Sequence, residues 1–171
     1  GPKPDGVSPS RVNQIETCPR QYQYSSVEKL PEAKKMATYR GTVFHAVLET
    51  VFLRTAETPH ERTVDYTLEV MRELLPELVS DEIAAEMELD PLGVQVFVRD
   101  LAKYIRTYFT MENPAEITSE GIEIRLDLDM GGFGLRGILD RLDRDPDGSL
   151  AIVDYKTGKV PADQYKASAL L

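Results

Sequence analysis

The sequence is short of cysteine and of positive charge. One cysteine, Cys18, stands among 171 residues. No disulfide can form within the chain, and a reducing cytoplasm is the compartment that fits. Lysine and arginine total 20 against 29 acidic residues, a net charge of −9. A protein that coats nucleic acid needs a basic surface to neutralise phosphate, and this composition argues against that class. It does not argue against a carboxylate cluster that binds divalent cations, because the cations reverse the local sign. A plain acidic domain explains the charge equally well. No apolar run approaches the roughly 18 residues of a membrane span. The stretch Val43 to Leu53 is broken by His45 and Glu49 and reads as an amphipathic core helix. No secretory signal, internal repeat or low-complexity segment is visible, and Gly1-Pro2 look like the remnant of a removed tag.

What is present is ordinary for a globular domain: 42% hydrophobic and 29% charged residues. The length suits one domain, residues 3–171. The apolar period is helical first. Ser8-Pro9-Ser10-Arg11 offers a cap and a proline for a short helix ending at Cys18-Pro19. Lys29 to Lys35 reads as a loop. Phe44, Val47, Leu48, Val51 and Phe52 predict a helix over Thr38 to Thr55. A third helix is expected from Pro59 through Leu75, interrupted or kinked at Pro76. A short acidic one is expected over Asp81 to Glu88, and a long one after Asp90-Pro91 with Val94, Phe97, Val98, Leu101, Ile105 and Phe109 inward.

After Asn113-Pro114 the period falls to two. Ile122, Ile124, Leu126 and Leu128 alternate with charged residues, as in a half-buried strand. Gly131-Gly132 offers a hairpin turn, and a second strand runs from Phe133 to Arg144. Asp145-Pro146-Asp147-Gly148 turns into a third strand, Ser149 to Thr157, and a helix starts near Pro161. The fold class is α+β: a helical part over about 8–112, then a three-stranded antiparallel meander over about 116–158. The last helix has nothing after it to pack on, so the chain reads as truncated at its C-terminus.

The Asp-Pro-Asp-Gly turn carries the chemical argument. Proline suits the second position of a type I turn, and glycine suits the left-handed bulge position that follows. The loop is then Pro146-Asp147-Gly148, closed by Asp145 opposite Ser149. Counting outward sets Asp140 opposite Asp154, and directly opposed Cβ atoms lie roughly 4.5–5.5 Å apart. Two carboxylates that close destabilise the strand pair unless a cation neutralises them. A loop one residue shorter or longer would put them on opposite faces. Lys156, two residues past Asp154, shares its face. If Gly131-Gly132 is a two-residue turn, Glu123 joins Asp140 as well. The blander readings stand beside this one. An Asp and a Lys two apart are most often a solvated salt bridge, and a lone histidine on an apolar helix is most often packed or paired, here with Glu49. Against the first of these, Leu150 to Val153 is apolar on both faces, as in a buried strand delivering charge to a cleft.

Four segments in order resemble the RecB-like branch of the PD-(D/E)XK nuclease superfamily. They are Ser8-Pro9-Ser10-Arg11 with Cys18-Pro19-Arg20, Gly41 to Glu49 around His45, Gly137 to Asp143 around Asp140, and Val153-Asp154-Tyr155-Lys156-Thr157-Gly158. The resemblance implies a restriction-endonuclease-like core. It implies Mg²⁺ or Mn²⁺ held by His45, Asp140, Asp154 and the Tyr155 backbone carbonyl, with Glu123 as a further candidate, and Lys156 positioning the attacking water. It implies a DNA exonuclease of repair or recombination, acting on DNA ends or single strands, with a helicase as candidate partner and no membrane. Arg20, Arg40 and Lys159, close to these motifs, are candidates for phosphate contact. Relatives carry a Gln/Tyr motif after the lysine strand, which Gln164-Tyr165 precedes too early to match. Some hold a [4Fe–4S] cluster whose first cysteine would be Cys18. The other three cysteines are absent, so only a longer chain could hold it, and Cys18 is equally explained as a structural thiol. Two other readings compete: an inactive nuclease-fold module that binds DNA or serves as a scaffold, and an acidic protein-interaction domain.

Overall fold

The computed structural model describes Val12, Ile15, Glu16 and residues 18–23, 36–129 and 134–158. Its helices are α1 (Pro19–Tyr22), α2 (Met36–Arg54), α3 (Val64–Leu78), α4 (Asp81–Glu86) and α5 (Pro91–Met111), and its strands are β1 (Ser119–Asp129), β2 (Gly134–Arg144) and β3 (Leu150–Val153). The sheet is antiparallel between β2 and β3 and has the order β1-β2-β3. Helices followed by a three-stranded meander are the α+β arrangement expected. Two compact units are distinguished: Lys34–Ile124 with Leu139–Thr157, and Gly1–Ala33 with Arg125–Ile138 and Gly158–Leu171. Val12, Ile15 and Glu16 are helical, within the helix expected after Ser8, whose start lies outside the described residues, as do the Lys29 to Lys35 loop, the Gly131-Gly132 turn, Lys159, the helix expected near Pro161 and Gln164-Tyr165.

The first unit has the core. From α2, Val43, Phe44, Val47, Leu48, Val51 and Phe52 are buried at helical spacing. They pack with Leu68, Val70 and Met71 of α3 and with Phe97, Leu101, Ile105 and Tyr108 of α5. Each such side chain contributes about 1.5–3 kcal/mol by leaving water, so this three-helix layer is a firm base for the site on α2. Within the α5 stripe Tyr108 is buried, whereas Val94, Val98 and Phe109 are only partly so.

Several boundaries differ from expectation for local reasons. Cys18 has an extended backbone that precedes α1, with Pro19 at the first helical position. Pro59 begins a separate 3-10 turn, Pro59–Glu61. The helix proper starts at Val64, where the Thr63 hydroxyl accepts the Tyr66 N–H at 3.2 Å. Pro76 sits inside α3, which continues to Leu78. Capping by Ser80 and Asp90 begins α4 and α5. The strand β3 ends at Val153, not Thr157, and is half-exposed instead of buried: Leu150 is 56% and Ile152 66% accessible. Leu150 and Ile152 share one face of β3, and that face is open.

Candidate metal centre

Three elements bring the candidate residues together. The first is the β2–β3 hairpin. Gly148 takes φ +86 and its N–H donates to the Asp145 carbonyl at 2.8 Å. The Asp145 N–H donates to the Ser149 carbonyl at 2.9 Å. This is the three-residue loop expected from Asp-Pro-Asp-Gly. The ladder follows from it: Arg144 pairs with Leu150, Asp143 with Ala151, Leu142 with Ile152 and Arg141 with Val153. One step beyond the last pair stand Asp140 and Asp154.

The second element is α2, which approaches the end of this hairpin closely. A Cβ on Gly41 would meet the Thr157 hydroxyl oxygen at 2.9 Å, so a larger residue there would force this contact to shift. One helical turn later the same face presents His45. Its Nε2 lies 3.0 Å from the Tyr155 carbonyl oxygen, and its Nδ1 lies 3.4 Å from Asp140 Oδ1. The other oxygen of Asp140 accepts the Tyr155 N–H at 2.6 Å. Tyr155 is thereby gripped by both of its peptide groups. Glu49 is not the partner of His45.

The third is β1. Glu123 holds φ +49 in the middle of the strand, a left-handed conformation that a non-glycine residue rarely takes. The alternation of exposure lapses over Gly121–Ile124, all half-buried, and the Ile124 side chain folds back over Gly121. At this point the backbone departs from extended geometry, and the Glu123 side chain is half-buried. His45, Glu123 and Asp140 each offer a ligand atom, all within 4.8 Å of one another. Burial, then the negative charges of Glu49 and Asp140, push the Glu123 carboxyl above its ordinary range, with His45 opposing them.

Two carboxylates and an imidazole at this separation are an oxygen-and-nitrogen donor set suited to a hard divalent cation. The mutual repulsion of Glu123 and Asp140 is what such an ion would relieve. Asp154 is not in this group of three. Its oxygens lie 2.7 and 2.9 Å from Lys156 Nζ, with both side chains mostly exposed. That pair has the geometry of the blander salt-bridge reading, placed beside the cluster by the hairpin. Arg40 is largely buried, held by Asp100 at 2.9 Å and stacked over the Tyr104 ring. Arg20 is exposed on α1 and Cys18 is a free, half-buried thiol.

Beneath the cluster lies a group that the motif reading passed over. Arg141 neighbours Asp140 on β2, so its side chain leaves the opposite face of the strand. It is 1% exposed. Its Nη1 donates to Glu112 at 2.7 Å, to the Tyr155 hydroxyl at 2.6 Å and to the Tyr108 hydroxyl at 3.0 Å. Its Nη2 reaches Glu112 at 3.0 Å and Asp143 at 2.9 Å, and its Nε reaches Asp143 at 2.8 Å. Burial alone would lower the guanidinium's affinity for its proton, but the hydrogen bonds to Glu112 and Asp143 raise it overall. Burial likewise pushes Glu112 up, and hydrogen bonds with Arg141 and Tyr108 bring it below its ordinary range. Burial raises the Tyr155 hydroxyl to about 12, so it stays protonated. The signal available in the sequence was an arginine on a strand position facing the core, between two acidic residues.

Among the described residues, no helix is long and apolar enough to cross a membrane. The family model described as the PD-(D/E)XK nuclease superfamily matches residues 6–170. The chain is 33% identical over 136 residues to an ATP-dependent helicase/deoxyribonuclease subunit of Streptococcus mutans, covering 80% of this chain and 12% of that protein. It is 25% identical over 180 residues to the Gene 69 protein of Mycobacterium phage D29, covering 93% of this chain and 65% of that protein. The ATP-dependent helicase/deoxyribonuclease subunit of the same name from Streptococcus agalactiae is 25% identical over 136 residues, again 12% of its length. The chain thus spans about an eighth of the helicase/deoxyribonuclease subunits and just under two thirds of the phage protein.

Proposed function

Because this chain belongs to the PD-(D/E)XK nuclease superfamily, we propose that it is a Mg²⁺- or Mn²⁺-dependent exonuclease acting on DNA ends or single strands in repair or recombination. The observation that carries this reading is the trio His45, Glu123 and Asp140, with ligand atoms within 4.8 Å of one another, at the end of a hairpin that also bears Asp154 and Lys156. The name of the Streptococcus relatives joins deoxyribonuclease to ATP-dependent helicase. That supports DNA as the substrate and a helicase as the partner.

In this reading His45, Asp140 and Glu123 hold the cation, joined by Asp154 and the Tyr155 carbonyl. The cation, when bound, supplies Lewis-acid polarisation of the scissile phosphate and acidifies water. Lys156 leaves its contact with Asp154 to hydrogen-bond the attacking water and offset the charge that builds on the phosphate oxygens. Asp140 and His45 keep the Tyr155 peptide oriented. Arg20 and Lys159 remain candidates for holding the DNA backbone, and Arg40 is positioned by Asp100. The sequence holds one cysteine, so Cys18 would serve as a [4Fe–4S] ligand only in a longer chain that supplies the other three.

The inactive-module reading draws on one observation: Lys156 is occupied by Asp154, outside the trio. One experiment separates the two. Cleavage of end-labelled single-stranded DNA is followed with and without Mn²⁺, for the protein and for Asp154→Ala and Lys156→Ala. The nuclease reading expects metal-dependent loss of terminal nucleotides and a fall of about 10²-fold or more in each variant. Wild-type rates in either variant would remove these assignments, and a protein inert towards DNA with either metal would favour the inactive module.

A further inference from the structure

The geometry points to Arg141 as a positioning residue for the metal centre, acting through Tyr155. This inference rests on the metal-site reading above. Tyr155 is joined to both His45 and Asp140 by its own peptide: its carbonyl oxygen lies 3.0 Å from His45 Nε2 and its N–H donates to Asp140 at 2.6 Å. Its ring stands edge-on to His45 at 5.6 Å between centroids, and edge-on to Phe44 and Tyr108. What fixes that ring is Arg141. The guanidinium donates to the Tyr155 hydroxyl at 2.6 Å and lies 5.4 Å from the centre of its ring.

Arg141 is itself immobilised from three directions. Glu112, just past the end of α5, takes two of its hydrogen bonds, and Asp143, two residues along β2, takes two more. The Phe52 ring of α2 lies 4.9 Å from the guanidinium carbon. A planar group pinned in this way has few alternative rotamers, which is what a rigid support needs. The same strand therefore presents the metal-binding carboxylate of Asp140 on one face and the support for Tyr155 on the other. Without the support the ring can rotate, and the carbonyl drifts relative to His45 and Asp140. Groups that orient metal ligands from behind commonly govern affinity in this manner.

Tyr155→Phe is the cleanest test, because it deletes only the hydroxyl that Arg141 holds and leaves the peptide groups in place. Arg141→Lys keeps the charge and loses the fork, and Asp140→Asn serves as the control. Free Mn²⁺ measured by electron paramagnetic resonance gives the dissociation constant for each. Tyr155→Phe and Arg141→Lys are expected to weaken Mn²⁺ binding about 10-fold, and to lower kcat with KM for DNA unchanged. In the metal-free protein, hydrogen exchange at the Tyr155 amide speeds up in Tyr155→Phe while the α5 amides keep their protection. A purely structural role for the arginine predicts instead a general loss of protection and no selective change at Tyr155. If both variants bind Mn²⁺ as the wild type does while Asp140→Asn does not, the positioning role of Arg141 is overturned and the metal centre stands. If the wild type itself fails to bind Mn²⁺, the metal centre falls and the positioning role with it.

Discussion

At the residue scale, Glu123 concentrates the conflict between folding and function. A left-handed backbone at a non-glycine residue costs roughly 1–2 kcal/mol, and the side chain it presents is pushed beside Asp140 and Glu49. Strain of this kind persists only where surrounding structure over-determines it. Glu123→Gly removes both costs. The metal-free variant is expected to melt about 2–4 °C higher than the wild type, while its affinity for Mn²⁺ falls at least about 10-fold. Scanning calorimetry and Mn²⁺ titration read the two effects, and an unchanged affinity would show that Glu123 is no ligand. His45 and Asp140, which the structure brings together, and Asp154 and Lys156, paired beside them, stand out in the sequence because each sits in a motif of fixed spacing. Arg141 lay inside one of those motifs and its role did not show. Its partners Tyr108 and Glu112 are 33 and 29 residues away, and no local pattern announces a contact of that range.

At the element scale, the β2–β3 register could be read in advance because a loop leaves little freedom. Pro146 and Gly148 dictate a three-residue connection, and the pairing of Arg141 with Val153 follows by counting. The left-handed backbone at Glu123 could not be read, because Ile122, Ile124, Leu126 and Leu128 keep perfect alternation in the sequence. The open face of β3 is hidden from the sequence for a related reason: an apolar run looks alike in an edge strand and a buried one. The approach of α2 to the hairpin makes a prediction at this scale. A methyl group on Gly41 would press on the Thr157 hydroxyl and push His45 away from Tyr155. Gly41→Ala should lower the rate of DNA cleavage about 10-fold, since sub-ångström misplacement is costly to catalysis. Adding Thr157→Ala should restore most of it. A double variant no better than Gly41→Ala would show that the contact does not set the position of His45.

At the scale of the whole molecule, the helical core and the candidate metal centre make different contributions. Val47, Phe97, Leu101 and Ile105 have no exposed surface, and the three-helix layer they form needs no ligand to be apolar inside. The two carboxylates of the trio, Glu123 and Asp140, are held together against their mutual repulsion. Divalent cations should therefore stabilise the folded chain out of proportion to their effect on an ordinary acidic surface. At a concentration 100 times the dissociation constant, binding to the native state alone contributes about 2.7 kcal/mol, which raises the melting temperature by about 5–10 °C. Asp140→Asn should abolish that increment and leave the metal-free melting temperature nearly unchanged. A melting curve indifferent to Mg²⁺ and Mn²⁺ in the wild type would count against the metal centre.

One further side chain bears on how these parts hold together. Arg62 is 2% exposed, and its hydrogen bonds go to the Thr55 hydroxyl and carbonyl just past α2 and to the carbonyls of Pro114 and Ile117 just before β1. The C-terminal end of the histidine helix and the entry to the Glu123 strand thus share one anchor, so a substitution at Arg62 would loosen at once two elements that carry the trio.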